Sequence, residues 1–195
     1  MKSLYLVGAG GHSRSCIDVI EQMGVYHIKG LFDLPEKVGE DFCGYKILAS
    51  DHEVAKYIDV DNYFLITIGQ IKTSLMRQSI FMKLKDHRAQ FATIVSPRAY
   101  IAKKTQIGEG TIIMHDVLVN TKASVGSNCI INSKALIEHD AQVGDHCHIS
   151  TGAIINGGAV VRGGAFVGSG TVVRENGLVR ESSVIPAGAF VKEKK

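Results

Sequence analysis

Residues 110–151 repeat a six-residue pattern without interruption: GTIIMH DVLVNT KASVGS NCIINS KALIEH DAQVGD HCHIST. The same period extends in both directions and gives seventeen consecutive hexads over residues 92–193. The fourth position is Val or Ile in every hexad, from Val95 to Val191, and the second is Ala, Cys, Gly, Ser or Thr in all but one. A period of six is neither the 3.6 of a helix nor the two-residue alternation of a half-buried strand. The pattern therefore predicts a repeat architecture.

The repeat favours a left-handed parallel β-helix over residues 91–195, with three hexads in each three-sided coil of eighteen residues. The β-branched residue at position four fills the interior of each flat side, and the small residue at position two fits the narrow corner. Gly or Asn near the corner tolerates the turned backbone. Each coil buries its apolar side only against its neighbours, so we expect the domain to be stable as a stack.

Position three of each hexad points outward, so residues eighteen apart form three outer columns. The first column is Leu118, Leu136, Ile154, Val172 and Phe190; the second is Ile112, Ile130, His148, Phe166 and Val184; the third is Gln106, Ser124, Gln142, Val160 and Leu178. Two apolar columns imply that something covers the outside. Three prisms packed around an axis would cover two faces of each, which predicts a homotrimer. The alternative is that the first ninety residues fold over these faces.

Residues 1–90 alternate strand and helix patterns, which predicts an α/β, Rossmann-like domain with a small parallel sheet. Strands are expected at 3–7, 27–33 and 63–68, and helices at 13–23 and about 72–85.

The first predicted strand ends in the glycine loop 8–12, GAGGH. Such a loop lets a phosphate approach the backbone at a helix N-terminus, where amide groups and the helix dipole favour negative charge. Ser13 stands where a dinucleotide motif would have its third glycine, so we favour a mononucleotide or nucleotide-sugar over NAD. Asp33, at the end of the next strand, could bond a ribose or base edge, or could cap a turn. The loop could also serve only the strand-to-helix connection.

The composition narrows the class of protein. The formal net charge is +3, and the terminal stretch 192–195 is the one basic block, so no nucleic-acid partner is predicted. No apolar stretch approaches the roughly 20 residues of a membrane span, and the N-terminal apolar run is too short for a signal peptide, which predicts a cytoplasmic protein. Cys129 and Cys147 lie one coil apart, and two core thiols are expected rather than a disulfide.

Four histidines of the repeat array lie outside the coil. His115 and His139 occupy position six, His146 position one and His148 position three. His115 and His146 are either solvated turn residues or members of a site between subunits, with the first reading slightly favoured. His139 lies between Glu138 and Asp140, and a carboxylate that orients an imidazole is what a general base needs. His148 interrupts an apolar column, where a polar group would need a partner.

These motifs resemble those of the bacterial hexapeptide-repeat sugar acetyltransferases, a family that includes sialic-acid O-acetyltransferases and a UDP-4-amino-sugar N-acetyltransferase. The matching features are the glycine loop 8–12, the strand end Ile68-Gly69, and Glu138-His139-Asp140 with His148 nine residues after His139. The resemblance spans nearly the whole chain. Leu34 departs from the family, because a second acid often follows the position of Asp33.

The resemblance implies roles for individual residues. His139 would take a proton from the attacking amine or hydroxyl, and Asp140, where the amino-sugar enzyme has Glu, would orient it. His148 would hydrogen-bond acetyl-CoA near its thioester. The pantetheine channel would be lined by Gly157, Ser169 and Ala187, and the nucleotide-sugar would be contacted by Gly10, Gly11, His12, Asp33 and Gly69. Transfer would be direct, with acetyl-CoA as co-substrate and no metal.

The function predicted from this resemblance is acetyl-CoA-dependent N-acetylation of a nucleotide-activated amino-sugar of the UDP-4-amino-sugar type, in the synthesis of bacterial surface glycans. One alternative is O-acetylation of sialic acid or a related sugar. A second is a zinc-dependent hydratase of the carbonic anhydrase kind, although its His-x4-His pair is missing. A third is a nucleotide-sugar-binding protein without catalysis.

Overall fold

The structure, a computed structural model, describes residues 2–193. An α/β part with a six-stranded sheet is followed by a stack of short parallel strands, so the predicted fold class is confirmed. The sheet strands are β1 (Lys2–Val7), β2 (Tyr26–Asp33), β3 (Asp41–Phe42), β4 (Tyr45–Ser50), β5 (Asn62–Ile66) and β6 (Gln90–Phe91). Two α-helices, α1 (Gly11–Met23) and α2 (Leu75–Asp86), and two 3-10 helices, Pro35–Lys37 and Asp51–Tyr57, complete this part.

The sheet has the strand order β3-β4-β2-β1-β5-β6 and is parallel except for the β3–β4 hairpin. Strand β1 is central because its residues are apolar on both faces, and Leu4 and Leu6 are fully buried. The chain runs outward from β1 through β2 to β4, and then returns to the other side of β1 as β5. The glycine loop follows β1 at this reversal of direction, where open α/β sheets bind ligands.

The predicted elements β1, β2, β5, α1 and α2 are all present, with small shifts at their ends. Helix α1 begins at Gly11 rather than Ser13, because Gly10 serves as its N-cap residue and the loop is shorter than predicted. Helix α2 begins at Leu75 rather than near residue 72. The sequence did not predict β3, β4 or β6, which are short or lack a clear alternation.

The seventeen strands of the stack coincide with positions three and four of the seventeen hexads. They are β7 (Ile94–Val95), β8 (Tyr100–Ile101), β9 (Gln106–Ile107), β10 (Ile112–Ile113), β11 (Leu118–Val119), β12 (Ser124–Val125), β13 (Ile130–Ile131), β14 (Leu136–Ile137), β15 (Gln142–Val143), β16 (His148–Ile149), β17 (Ile154–Ile155), β18 (Val160–Val161), β19 (Phe166–Val167), β20 (Val172–Val173), β21 (Leu178–Val179), β22 (Val184–Ile185) and β23 (Phe190–Val191). Each pairs in parallel with the strand eighteen residues away, forming three sheets.

The corners of the coils explain which residues occupy the first position of each hexad. From Lys104 to Gly188, every first position has a positive φ, whether the residue is Gly, Asn, Asp, Ser, Lys or His. Each coil therefore turns through a left-handed residue at every corner, a conformation that costs a non-glycine residue roughly 1–2 kcal/mol. Burial of the fourth-position residues, fully inside from Val119 to Val173, offsets that cost.

The N-terminal part packs on the second outer column. Ile112 and Ile130 are completely buried in one cluster with Leu4, Ile17 and Ile20 of the α/β part. The alternative stated from the sequence, that the first ninety residues fold over the outer faces, therefore holds for Ile112, Ile130 and His148 of this column. Phe166 and Val184, nearer the end of the stack, remain partly or largely exposed. Among residues 2–193, the α/β part does not cover the first column, and Phe190 is 57% exposed.

Gly170 offers a test of the corner geometry. Its φ is 65°, close to the 66° of Gly152 and the 68° of Gly188 above and below it in the stack, and a Cβ there would meet no atom within 4 Å. Replacement by Val should destabilise the protein by about 1–2 kcal/mol, because a β-branched residue is strained in the left-handed region. Gly170→Asn should cost clearly less. Urea unfolding of both variants measures the difference. Equal stability of Val and Asn variants would contradict a left-handed corner.

Candidate active site

A cavity of about 1210 Å³ lies where the α/β part meets the β-helix, and we name it the junction cavity. The glycine loop, the end of β2 and the segment after β5 form one side, and His148 and its neighbours on the β-helix form the other. All five residues predicted to contact a nucleotide-sugar line it: Gly10, Gly11, His12, Asp33 and Gly69. The structure thus brings together the predicted substrate residues and one predicted cofactor residue, His148.

The glycine loop is shaped for close approach of a ligand. At Gly8, φ is 109° and a Cβ would lie 2.5 Å from a side-chain atom of Ile68, so the loop must begin with glycine to pack against the end of β5. Gly10 and Gly11 have no atom within 4 Å of an added Cβ. Their backbone therefore faces open space at the N-terminus of α1, which suits an anionic group.

Asp33 holds the glycine loop in place. One carboxylate oxygen accepts a hydrogen bond from the Ala9 N–H at 2.6 Å, and the other accepts from the Leu34 N–H at 2.7 Å. Lys37 pairs with the same carboxylate at 3.2 Å. Partial burial alone would raise the pKa of Asp33, but these partners lower it below its ordinary value. The 3-10 helix that follows has no side-chain cap hydrogen bond, so Asp33 braces the glycine loop rather than capping that turn, and contact with a nucleotide stays a prediction.

His12 and His148 lie together in the junction cavity, with ring centroids 6.5 Å apart. Burial, with a smaller contribution from the positive charge of Arg77, lowers the pKa of His12 to about 3 and that of His148 to about 4. Both imidazoles are therefore neutral near pH 7. Cys16 is 3.3 Å from His12 Nε2, and burial raises the pKa of this thiol to about 12, so it is an uncharged neighbour rather than a nucleophile.

Arg77 of α2 joins the two parts of the protein. It is 1% exposed and donates to the carbonyl oxygens of Ile66 and Ile68 at the end of β5, at 2.8 and 2.7 Å. Its other terminal nitrogen donates to the side-chain oxygen of Asn128 on the β-helix at 2.8 Å. Burial lowers the pKa of Arg77 to about 10, which still leaves it charged at neutral pH. These bonds fix the strand end beside the glycine loop relative to the β-helix.

His139 and Asp140 form the predicted pair, with Nδ1 and the carboxylate oxygen 2.9 Å apart. Both side chains are more than half exposed, and Glu138 accepts a hydrogen bond from the His139 backbone N–H. Asp140 is a left-handed corner residue with φ 59°, so the corner backbone orients its carboxylate. The pair lines a separate cavity of about 400 Å³ together with Gly157. Among residues 2–193, His139 Nε2 has no hydrogen-bond partner.

Gly157 lies directly beneath the His139 ring, one coil away. A Cβ at this position would be 2.8 Å from Cε1 and 2.9 Å from Nε2 of His139. Only glycine therefore leaves the ring in its present place. The resemblance implied Gly157 as a pantetheine contact, which stays a prediction, and the structure adds its close approach to the His139 ring.

Ser169 and Ala187 occupy another corner of the β-helix, stacked eighteen residues apart. Ser169 Oγ is 2.9 Å from Ser150 Oγ, and both Ser169 and Ala187 are exposed. Ser133 and Thr151 lie at the same corner and line the junction cavity. The corner therefore extends from the junction cavity toward the C-terminal end of the stack, where Ser169 and Ala187 lie. Within one chain, His148 lines the junction cavity and Ser169 and Ala187 lie further along the stack, whereas His139, Asp140 and Gly157 lie at the next corner.

His115 and His146 each contact the α/β part of the chain. His115 Nε2 contacts Asp18 of α1 at 2.8 Å and its Nδ1 contacts Ser96 at 2.7 Å. His146 contacts Asn128 at 2.9 Å and packs edge-on against Phe81 of α2. The α/β part of the same chain therefore shields both imidazoles, so the solvated-turn reading favoured from the sequence is wrong. A place in a site between subunits stays a prediction.

The sequence did not identify Gln70, Asn132 or Arg77 as residues of the candidate site. The sequence shows that Gln70 directly follows Gly69 and that Asn132 lies just before a corner of the β-helix. It does not show the packing of the two domains that brings both residues beside His148. Within residues 2–193, no three His, Cys, Asp or Glu side chains lie close enough to bind a metal ion. In that same range no helix combines the length and apolarity needed to cross a membrane.

Comparison with known proteins gives a family match in the N-terminal part of the chain. Residues 3–84 match the family model of the PglD N-terminal domain. A viral relative, uncharacterized protein L142 of Acanthamoeba polyphaga mimivirus, is 29% identical over 110 residues, which are 56% of this chain. The match spans about a fifth of that relative, 21% of its length.

Solved structures share the fold along nearly the whole chain. The acetyltransferase domain of PglB from Neisseria gonorrhoeae has a TM-score of 0.90 at 19% identity, covering 100% of this chain and 93% of that one. Perosamine N-acetyltransferase from Caulobacter crescentus, in complex with CoA and GDP-perosamine, has a TM-score of 0.68 at 22% identity, covering 97% and 93%. These matches show a shared fold.

The two buried histidines predict a pH dependence of stability. The pKa values of His12 and His148 in the folded protein, about 3 and about 4, lie below the ordinary 6.5 of the unfolded chain. Between pH 6.5 and about 4 the unfolded chain therefore binds more protons than the folded protein. The free energy of unfolding should therefore fall as the pH drops from 6.5 to about 4. His148→Gln should show a smaller fall than the wild type in urea titrations across this range. An identical pH dependence in both proteins would contradict a neutral buried His148.

Gly157→Ala should displace the His139 ring, because the added methyl group would overlap it. The ring is exposed and can rotate, so the free energy of unfolding should change by less than about 1 kcal/mol. NMR chemical shifts of the His139 ring measure the displacement. Glu175→Ala, on the same corner, is the matched control and should leave the ring where it is. Unchanged His139 resonances in Gly157→Ala would contradict the contact.

Proposed function

With a PglD-type N-terminal domain on a fold shared with sugar acetyltransferases, we propose that this chain is an acetyl-CoA-dependent N-acetyltransferase of a nucleotide-activated amino-sugar. The observation that carries the proposal is the exposed His139–Asp140 pair, whose Nε2 is free to accept a proton. The proposal places the protein in the cytoplasm, in the synthesis of surface glycans. O-acetylation of a sialic-acid-type sugar is the second candidate, because the same base and thioester would serve a hydroxyl.

The chemistry follows from the geometry of the pair. Asp140 accepts a hydrogen bond from His139 Nδ1–H, which leaves the Nε2 lone pair as the base and stabilises the imidazolium that forms. The sugar amine attacks the thioester carbonyl carbon while Nε2 takes its proton. A C–N bond forms, the C–S bond breaks, and the CoA thiolate leaves and is protonated. No covalent enzyme intermediate is needed.

The junction cavity would hold the nucleotide-sugar. Open backbone at Gly10 and Gly11, at the N-terminus of α1, suits a diphosphate. The cavity is large enough for a nucleotide-sugar, since its volume of about 1210 Å³ exceeds that of an ordinary ligand pocket. Binding of GDP-perosamine and CoA by the Caulobacter protein supports a nucleotide-linked sugar as the acceptor class. A binding screen with UDP-, GDP-, dTDP- and CMP-sugars would identify the nucleotide.

The two groups of residues would meet in a homotrimer. Within one chain, the His139 pair and the junction cavity lie at different corners, so one chain alone does not assemble the site. The first outer column, Leu118 to Phe190, is apolar and has no cover from the α/β part. Packing of this column against the next subunit would bring His139 of one copy toward the junction cavity of its neighbour.

Removal of the base tests the proposed reaction. His139→Gln should lower kcat for release of CoA from acetyl-CoA and a nucleotide amino-sugar by about 10²- to 10⁴-fold, with little change in KM. Asp140→Asn should reduce it less. His52→Gln, an exposed histidine of the α/β part, is the control. Wild-type turnover in His139→Gln, or no CoA release by the wild type across a panel of nucleotide amino-sugars and sialic acids, would contradict the proposal.

Disruption of the apolar column tests the assembly. Ile154→Glu should convert the trimer to monomers, because a carboxylate buried without a partner is strongly unfavourable at an interface. Sedimentation velocity measures the change, and Lys29→Glu on the exposed α/β surface serves as control. A wild-type protein that sediments as a monomer, or an unaltered trimer of Ile154→Glu, would contradict the assembly.

A further inference from the structure

Glu138, the residue before the proposed base, has one carboxylate oxygen occupied and one free. Its Oε2 accepts a hydrogen bond from the Asn120 side-chain amide at 2.9 Å and another from the His139 backbone N–H at 3.2 Å. Its Oε1 has no hydrogen-bond partner among residues 2–193. Glu138 is partly buried and lines the same cavity of about 400 Å³ as His139. A ligand that enters this cavity therefore meets a carboxylate oxygen with unused lone pairs.

Asn120 determines which of the two oxygens is occupied. It lies one coil before Glu138, and its side-chain oxygen accepts a hydrogen bond from the Thr121 N–H at 2.7 Å. Its amide nitrogen is therefore directed away from that N–H, and because an amide nitrogen can only donate, its partner is the carboxylate oxygen. The repeat thus holds Oε2 against the coil from two sides. Asn120 is a positioning residue that leaves Oε1 as the oxygen available to a ligand.

Two hydrogen-bond acceptors therefore line the cavity at the proposed base. One is His139 Nε2, which has a lone pair while Asp140 accepts the hydrogen of Nδ1, and the other is Glu138 Oε1. A primary amine has two hydrogens, one for each acceptor. A hydroxyl has only one, so when His139 takes it, the Glu138 oxygen faces the hydroxyl oxygen with no hydrogen between them. Such a mismatch is costly, because a site whose polar groups suit one substrate rejects an analogue that cannot pair with them.

We propose that Glu138 Oε1 accepts the second N–H of the acceptor amine, so that this site selects an amine over a hydroxyl. The inference rests on the proposed function and decides between its two candidates in favour of N-acetylation. In the transfer step the C–N bond forms, one hydrogen leaves the nitrogen as a proton on His139 Nε2, and the C–S electron pair leaves on the CoA thiolate, which takes up a proton. The second hydrogen stays on the nitrogen, bonded to Glu138, and becomes the amide hydrogen of the product. An ester product has no such hydrogen.

Matched pairs of acceptors separate the two groups. UDP-4-amino-4,6-dideoxy-N-acetylglucosamine and UDP-N-acetylquinovosamine differ only in an amine or a hydroxyl at one ring carbon, and GDP-perosamine and GDP-rhamnose stand in the same relation. For the amine that releases CoA from acetyl-CoA, kcat/KM is measured, and its hydroxyl partner is tested both as a substrate and as a competitive inhibitor. The wild type should acetylate the amine at least about 100-fold faster than the hydroxyl partner.

Glu138→Gln should lower kcat/KM for the amine about 10- to 100-fold, because the new amide keeps its oxygen toward Asn120 and turns its NH2 group toward the amine. The inhibition constant of the hydroxyl partner should stay the same or fall, because a hydroxyl oxygen can accept from that NH2 group. Asn120→Ala should also lower kcat/KM for the amine, and the double variant should be no worse than Glu138→Gln alone, because Asn120 acts through Glu138. Glu181→Gln, an exposed glutamate at another corner, is the control.

An unchanged kcat/KM for the amine in Glu138→Gln would overturn the inference. Equal losses for the amine and its hydroxyl partner would also overturn it, since a merely structural role of Glu138 predicts them, and so would faster acetylation of the hydroxyl by the wild type. If Glu138→Gln does not fold, Asn120→Ala carries the same comparison of amine with hydroxyl. No CoA release with any nucleotide amino-sugar would instead contradict the proposed function, and the inference would fall with it.

Discussion

Stacking of coils at a constant eighteen-residue repeat determines where every polar group of the β-helix lies. The repeat contains no insertion, so each residue lies directly above another of the same hexad position, and the left-handed corners recur without exception from Lys104 to Gly188. His139 therefore lies over Gly157, and Asp140 takes a corner conformation that holds it beside the imidazole. A one-residue insertion before His139 would exchange inward and outward positions and remove the pair.

The second constraint is the attachment of the α/β part to one face of this stack. Apolar packing around Ile112 and Ile130 supplies most of the contact, and the buried guanidinium of Arg77 adds directional bonds to both parts. A buried charge with only neutral partners is costly, so its hydrogen bonds must be kept. The same attachment buries His148, whose Nδ1 contacts the carbonyl oxygen of Gln70.

The sequence predicted the local order of the molecule well, because the hexads and the glycine loop depend on neighbours in the chain. The strands, the corners, the outward direction of the histidines and the His139–Asp140 pair all follow from residue spacing. The environment of His115, His146 and His148 did not, since it depends on which outer face the α/β part covers. The covered face is determined by contacts between side chains far apart in sequence, such as the packing of Ile17 near Ile112 and the hydrogen bond from Arg77 to Asn128. Asp33 likewise proved to hold the loop, a contact its position at a strand end left open.

The central claim is that a complete site needs His139 from one subunit and the junction cavity from another. The most direct measurement is acetyl transfer by mixed trimers of two inactive variants, His139→Gln and Gly11→Glu, the second of which puts a charged side chain into open space at the loop. After unfolding and refolding together, the mixture should regain activity, because some interfaces pair an intact His139 with an intact cavity. A refolded mixture of trimers as inactive as either variant alone would contradict the claim.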